Sequence, residues 1–304
     1  MAVDLKKIKT EERNQKTLNI DKLGVLEIVT LINEEDKLVA LAVEKAKEQI
    51  ANLVEEVVKC FENDGRLIYM GAGTSGRVGI IDAVECRPTY GVNDEMVQCL
   101  MAGGINAFVK AVEGAEDNKE LAIEDLKKIN FSKNDVLVGI AASGRTPYVV
   151  SGCEYAKSIG AVTGCIVTSP NSVLESVVDY PIVAVTGPEV ITGSTRMKSG
   201  TAQKMICNMI STASMIKMGK VYQNLMVDVQ PTNEKLVSRA VRILCDASGV
   251  NEDVAKEKLL KYKGVKKALF SILSGIDDLE KVNEILNSQK GHIRKALNKV
   301  GIND

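Results

Sequence analysis

The sequence predicts an α/β protein: a three-layer sandwich around a mostly parallel five-stranded sheet, followed by a small all-α module. Three observations carry that reading. Short apolar runs at 66–70, 96–101, 135–142, 162–168 and 180–186 alternate with helical patterns. Such alternation implies βαβ units and a sheet covered on both faces. Two of the runs end in Ser/Thr/Gly turns that open the next helix, and past Val221 the strand patterns stop.

Residues 1–35 read as an extended arm, because TEERNQKTLNIDKLG has no clear period. From 36 to 60 the apolar positions Leu38, Leu41, Ala42, Ala46, Ile50, Leu53, Val54 and Val57 recur at three and four residues, the spacing of an amphipathic helix. Helices are expected near 76–87, 104–113, 116–129, 146–159 and 171–177. A long methionine-rich helix is expected over 195–218, with its methionines as core filler. Short helices follow over 233–304. The expected divisions are an arm and helix at 1–50, a phosphosugar-binding domain at 51–220 and a helical module at 221–304.

Composition narrows the function. The 304 residues carry 39 basic and 40 acidic side chains, net −1, with no long basic block to capture nucleic acid. No apolar run reaches the roughly 18 residues of a membrane span, and the first twenty residues are polar. The expected compartment is the cytoplasm. Cys60, Cys86, Cys99, Cys153, Cys165, Cys207 and Cys245 form no C-x-x-C and mostly sit in apolar stretches, so they read as buried free thiols. The single histidine, His292, excludes any triad or metal site needing two. Catalysis therefore falls to carboxylate, lysine, tyrosine or thiol.

The chemistry-bearing turns are two. The first strand runs into Gly71-Ala72-Gly73-Thr74-Ser75-Gly76-Arg77. Glycines admit a ligand to the backbone, and free N–H groups at a helix N-terminus favour an anion. The turn also matches G-x-G-x-x-G, but a dinucleotide site wants an acidic residue ending the next strand. That strand ends LMAGG, without one. The third strand ends in Ser143-Gly144-Arg145-Thr146-Pro147, with Thr146 expected at the N-cap and Pro147 at the first helical position. Two such turns, each with an arginine, point to phosphate. A third candidate, 192–198 (TGSTRMK), opens the helix after the last strand.

These turns resemble the sugar isomerase domain, a family of phosphosugar binders. The resemblance tightens across 10–21 (TEERNQKTLNID), 71–91 (GAGTSGRVGIIDAVECRPTYG), 112–117 (VEGAED), 139–149 (GIAASGRTPYV), 193–204 (GSTRMKSGTAQK) and 224–236 (NLMVDVQPTNEKL). Through these segments the chain is similar to the N-acetylmuramic acid 6-phosphate etherase family over nearly its whole length. The resemblance implies cleavage of a D-lactyl ether from a small phosphorylated amino sugar, giving N-acetylglucosamine 6-phosphate and D-lactate in cell-wall recycling. It also implies a homodimer and no metal or organic cofactor. It carries the catalytic glutamates to Glu85 and Glu116. Phosphate contacts fall on Ser75, Ser143 and Thr146, with Gly73, Thr74, Gly144 and Arg145 beside them. Two positions depart from the family, which has proline where this chain has Arg87 and Gln15. Arg87 lies two residues from Glu85, close enough to alter that carboxylate, and neither departure removes a reacting group.

The two glutamates are expected in opposite helical settings. Glu85 is placed in the last turn of a helix that stops before Pro88, where the dipole suits an acid. Glu116 is placed at the start of the helix EDNKELAIEDL, where the dipole suits a base. Each dipole effect is only about 0.3–1 kcal/mol, so burial must add to it. Two other functions remain open at this point: a phosphosugar aldose–ketose isomerase, and a non-catalytic phosphosugar sensor like glucokinase regulatory protein. Release of D-lactate separates them.

Overall fold

The computed structural model describes residues 9–110, 112, 114–229 and 234–302. Residues 1–8 of the arm, Glu113 in VEGAED and 230–233 in the NLMVDV segment lie outside the described residues. The described residues form two compact units, one within 1–84 and 95–211, the other within 85–94 and 212–304.

In the first unit, β1 (Leu67–Gly71), β2 (Val97–Met101), β3 (Val136–Ile140), β4 (Val162–Val167) and β5 (Tyr180–Val183) make one parallel sheet. Its order is β2-β1-β3-β4-β5. β1 and β3 are buried along their whole length, as central strands covered on both faces must be. The helices are α1 (Val25–Glu44), α2 (Lys47–Glu62), α3 (Gly73–Tyr90), α4 (Asn106–Val109), α5 (Lys119–Lys128), α6 (Pro147–Ser158), α7 (Val173–Val177) and α8 (Lys198–Lys217).

Strand side chains alternate between two helical layers. Ile68, Met70, Leu137, Cys165 and Val167 pack with Ala122 and Leu126 of α5, Val149 and Cys153 of α6 and Leu174 of α7. On the other face, Leu53 of α2 lies against Gly164, and Gly79 of α3 against Tyr69 and Cys99. Tyr69 donates its hydroxyl toward the Cys207 carbonyl of α8 (3.2 Å) and Asp82 of α3 (3.0 Å). Asp82 also accepts from Asn208 (2.6 Å) and Ser211 (3.0 Å). Burial pushes its carboxyl above the ordinary value, against the pull of those bonds. All seven cysteines are free thiols; five are buried, and burial pushes Cys60 up to about 12.

The second unit holds a short antiparallel pair, β6 (Val221–Tyr222) and β7 (Leu225–Met226). It then continues with α9 (Glu234–Ser248), α10 (Glu252–Tyr262), α11 (Val265–Ser274), α12 (Leu279–Ser288) and α13 (Ile293–Lys299). Leu244, Ala255, Leu269, Phe270, Val282 and Ala296 form its core. Two-residue strands are too short to carry a period, so the sequence did not mark them. Among the described residues no helix is long and apolar enough to cross a membrane.

Several helix boundaries differ from expectation. Residues 25–35 are helical, and α1 breaks from α2 at 45–46 rather than running on. The first turns of α1 expose Val25, Leu26 and Val29, and its buried stripe begins only at Glu35 and Val39. α3 continues through Pro88 to Tyr90. The proline removes one N–H on an exposed stretch, and the helix closes where the Gly91 N–H (φ +64°) reaches the Arg87 carbonyl. α8 starts at Lys198, not 195, because the buried Glu189 carboxylate accepts the Lys198 and Ser199 amides at 3.0 and 2.9 Å.

That helix start is buried, and so is its lysine. Lys198 (1% exposed) donates to Glu35 of α1 (3% exposed) at 2.7 Å. Glu35 also accepts from Lys16 (3.0 Å) and Asn14 (2.8 Å), while Thr17 donates to the Val190 carbonyl (2.8 Å). Burial pushes the Glu35 carboxyl up, but the bonds from Lys198, Lys16 and Asn14 outweigh it and hold it below its ordinary value. Glu35→Gln should therefore cost about 3–5 kcal/mol, the usual effect of leaving a buried charge unpaired. The denaturant midpoint at unchanged m-value measures it. A depressed carboxyl stabilises the fold fully above its unfolded value of about 4.3. That contribution is lost as pH falls through the folded value. The stability gap between wild type and variant should close on acidification.

Candidate active site

At the carboxyl end of β1 the chain turns directly into α3. Gly73 takes φ +53°, a left-handed conformation that glycine adopts without a side-chain penalty. The first intrahelical bond runs from the Gly76 amide to the Ala72 carbonyl (3.3 Å). The amides of Gly73, Thr74 and Ser75 therefore remain as donors at the helix N-terminus.

At the end of β3, Gly144 has φ +63°, and a Cβ there would fall 2.4 Å from Ser172 Cβ. Glycine is required. Thr146 stands at the N-cap of α6 as expected, but its hydroxyl makes no capping bond. Its carbonyl instead accepts the Val149 and Val150 amides at 3.0 Å each. The side chains of Thr74, Ser143, Arg145 and Thr146 make no hydrogen bond among the described residues. Three hydroxyls and a guanidinium are thus left for a ligand.

Sheet order brings the two turns together. β1 pairs with both β2 and β3, with Gly71 beside Ile140, so 72–76 and 141–146 flank the point where strand order reverses. Open α/β sheets bind ligands in that crevice. α8 backs both turns. Gly200 lies against the Thr74 methyl, and Ser75 donates to Gln203 Oε1 at 2.9 Å. Thr168 Oγ1 lies 3.0 Å from Ser199 Oγ and 3.1 Å from the Ala142 carbonyl. The third candidate, 192–198, is not a further anion site: Glu189 already occupies the N-terminus of α8.

A cavity of about 230 Å³ adjoins the first turn, lined by Ala72, Gly73, Arg77, Met101, Gly114 and Glu116 among others. Arg77 donates to the Ala107 and Phe108 carbonyls at 2.8 Å each. It ties down the cavity wall and is not a free phosphate ligand. Glu116 is exposed, in a 3₁₀ turn (Ala115–Asp117) after Gly114 (φ +73°), and not at the start of α5. Asn118 takes the N-cap, accepting the Leu121 amide at 3.0 Å, and so begins the helix after Glu116. Glu85 is exposed, one turn before the last turn of α3, and belongs to the other compact unit. Neither glutamate gains the burial that the helix-dipole argument required. Arg87 pairs with Asp94 on the surface.

The sequence reading missed Ser199, Gln203 and Thr168. The signal for the first two was present: in GSTRMKSGTAQK they are four apart, one face of a helix. If the turns hold phosphate, Ser75→Ala, Ser143→Ala and Thr146→Ala should each weaken phosphosugar binding by roughly 10- to 150-fold. That range corresponds to about 1.5–3 kcal/mol per hydrogen bond to a charged group. Titration calorimetry reads it, and unchanged affinity in all three would remove the turns from the site.

Residues 49–157 match the family model described as glucokinase regulatory protein N-terminal SIS domain. Residues 223–300 match that for the C-terminal lid domain of glucokinase regulatory protein. The chain is similar to N-acetylmuramic acid 6-phosphate etherase of Bacillus cereus, 54% identical over 294 residues, covering 96% of this chain and 100% of that protein. The etherase of Clostridium botulinum is 53% identical over 300 residues, covering 98% and 99%. Among solved structures, a protein described as a phosphosugar isomerase involved in capsule formation, from Bacteroides fragilis, superposes with TM-score 0.50 at 22% identity. It covers 66% of this chain and 95% of that one, a likeness of fold.

Proposed function

This chain belongs to the N-acetylmuramic acid 6-phosphate etherase family, and from that premise we propose how its residues divide the reaction. The enzyme, a carbon–oxygen lyase, cleaves the D-lactyl ether of N-acetylmuramic acid 6-phosphate to N-acetylglucosamine 6-phosphate and D-lactate. The observation that carries this reading is identity above half over nearly the full length of the curated etherases. The hydroxyl-bearing turns at the sheet's switch point supply the phosphate anchor that the substrate needs. An aldose–ketose isomerase shares the fold, but only the etherase reading accounts for the full-length relatives.

In the open-chain sugar the C1 aldehyde acidifies the C2 proton, and the ether oxygen sits on C3. A base removes the proton, its electron pair forms the C2=C3 bond, and the C3–O bond breaks. The lactate oxygen takes a proton as it leaves. Water then adds at C3, and a proton returns to C2. The phosphate, bound remotely, positions the reacting carbons and lets binding energy act at the chemistry.

We assign the C2 base to Glu116, which lines the cavity next to Gly73, and protonation of the leaving oxygen to Glu85. The phosphosugar-binding segment is 51–220. A homodimer is supported by apolar side chains exposed on the single chain, among them Val25, Leu26 and Val29 of α1 and Met209 of α8. Free thiols throughout fit a reducing compartment, the cytoplasm.

Incubation with N-acetylmuramic acid 6-phosphate should release D-lactate; its absence would refute the etherase reading. Glu116→Gln should abolish both lactate release and exchange of the C2 hydrogen with deuterated water. Glu85→Gln should block release while exchange persists, because exchange needs only deprotonation and return. Exchange lost in the Glu85 variant and kept in the Glu116 variant would reverse the assignment.

A further inference from the structure

Ser75 has one hydroxyl proton, and in this structure it points away from the task the phosphate site would give it. The proton is donated to Gln203 Oε1 at 2.9 Å, leaving only oxygen lone pairs to face an anion. Gln203 is 1% exposed, and its Nε2 is buried without a hydrogen-bond partner. A buried amide that leaves both N–H groups unmatched is costly, and the cost calls for a reason. Enclosed in α8, the side chain cannot swing to solvent, but its carboxamide can turn by 180° about its last bond without changing shape. After that turn Nε2 donates to Ser75 Oγ, and the Ser75 proton is released toward the turn at 71–76. The amide then leaves one N–H and its oxygen unpaired in place of two N–H groups, and an oxygen is less often satisfied in proteins than an N–H.

We propose that Gln203 is a positioning residue of the phosphate site. In the phosphate-bound protein its Nε2 donates to Ser75 Oγ and turns the Ser75 hydroxyl toward the phosphate. The anion itself favours this orientation, since it accepts from Ser75 in one state and faces lone pairs in the other. Ser199, one helical turn earlier on the same face, meets Thr168 through a pair of hydroxyls, where donor and acceptor can likewise exchange. α8 thus presents reversible partners behind both turns. The inference rests on the reading of 71–76 as a phosphate turn.

The test is calorimetric titration of N-acetylglucosamine 6-phosphate into wild type, Gln203→Met, Ser75→Ala and the double variant, with thermal melting of each. Gln203→Met should weaken binding about tenfold, comparable to the loss of one hydrogen bond to a charged group. The double variant should bind no worse than Ser75→Ala alone, because Gln203 acts only through Ser75. Gln203→Met should melt at or above the wild-type temperature, since it removes an unmatched buried amide. A purely structural role predicts the opposite: a lower melting temperature and additive losses, about a hundredfold in the double variant. Either additivity or wild-type affinity in Gln203→Met overturns the inference while leaving the phosphate turn intact. Wild-type protein that does not bind the sugar phosphate removes both. Gln203→Leu, neutral and of similar size, runs the same comparison if the methionine variant does not fold.

Discussion

The arrangement depends on charge compensation at the buried N-terminus of α8. A helix start inside a protein leaves amides that water cannot reach, and here Glu189 accepts two of them. The first residue of the helix is a lysine with no access to solvent, and Glu35 neutralises it. A buried pair of this kind adds little net stability, because desolvation offsets most of the attraction, but it penalises every arrangement in which the partners are apart. It therefore sets the position of α8 relative to α1. Through Asn14 and Lys16 it also holds the arm segment 10–21, which Thr17 anchors separately to the Val190 carbonyl.

From that position α8 presents Ser199, Gly200 and Gln203 to the backs of the two glycine turns. The turns are built for rigidity where the backbone must approach a ligand: Gly144 is packed against Ser172, and Arg77 pins the segment at 107–108. Gln203 Nε2 and Ser169 Oγ are buried without partners, and Thr74, Ser143 and Thr146 keep their hydroxyls unengaged. Polar groups left unmatched beside a sheet's switch point are where function overrides local satisfaction. The proposed phosphate turns sit on a stiff scaffold, while the assigned carboxylates lie on exposed surface.

Several misread boundaries share one cause. The first turns of α1, 25–35, were missed because their apolar residues are exposed in the single chain and do not sit on the stripe that marks its second half. Pro88 was taken as a stop, yet the helix continues where a lost donor faces water. Glu116 was placed in α5 because EDNKEL suits a helix start, but Asn118 competes for the N-cap and wins by accepting the Leu121 amide. In each case a local signal was real and its neighbour was stronger.

What the sequence by itself determined was the local content: five strands, the helices between them, and turns of glycine and hydroxyl residues at strand ends. Those follow from side-chain period and backbone freedom, which act over a few residues. Its motifs also identified the family, since GSTRMKSGTAQK and VEGAED are specific over many positions. The tertiary structure alone decided that β1 and β3 are neighbours, which brings two separate capping sequences to one sheet edge. It alone paired Arg87 with Asp94, closed the α8 terminus with Glu189 and set Gln203 behind Ser75. Contacts across 128 residues, as between Ser75 and Gln203, arise from strand order and helix packing, and no local pattern encodes them.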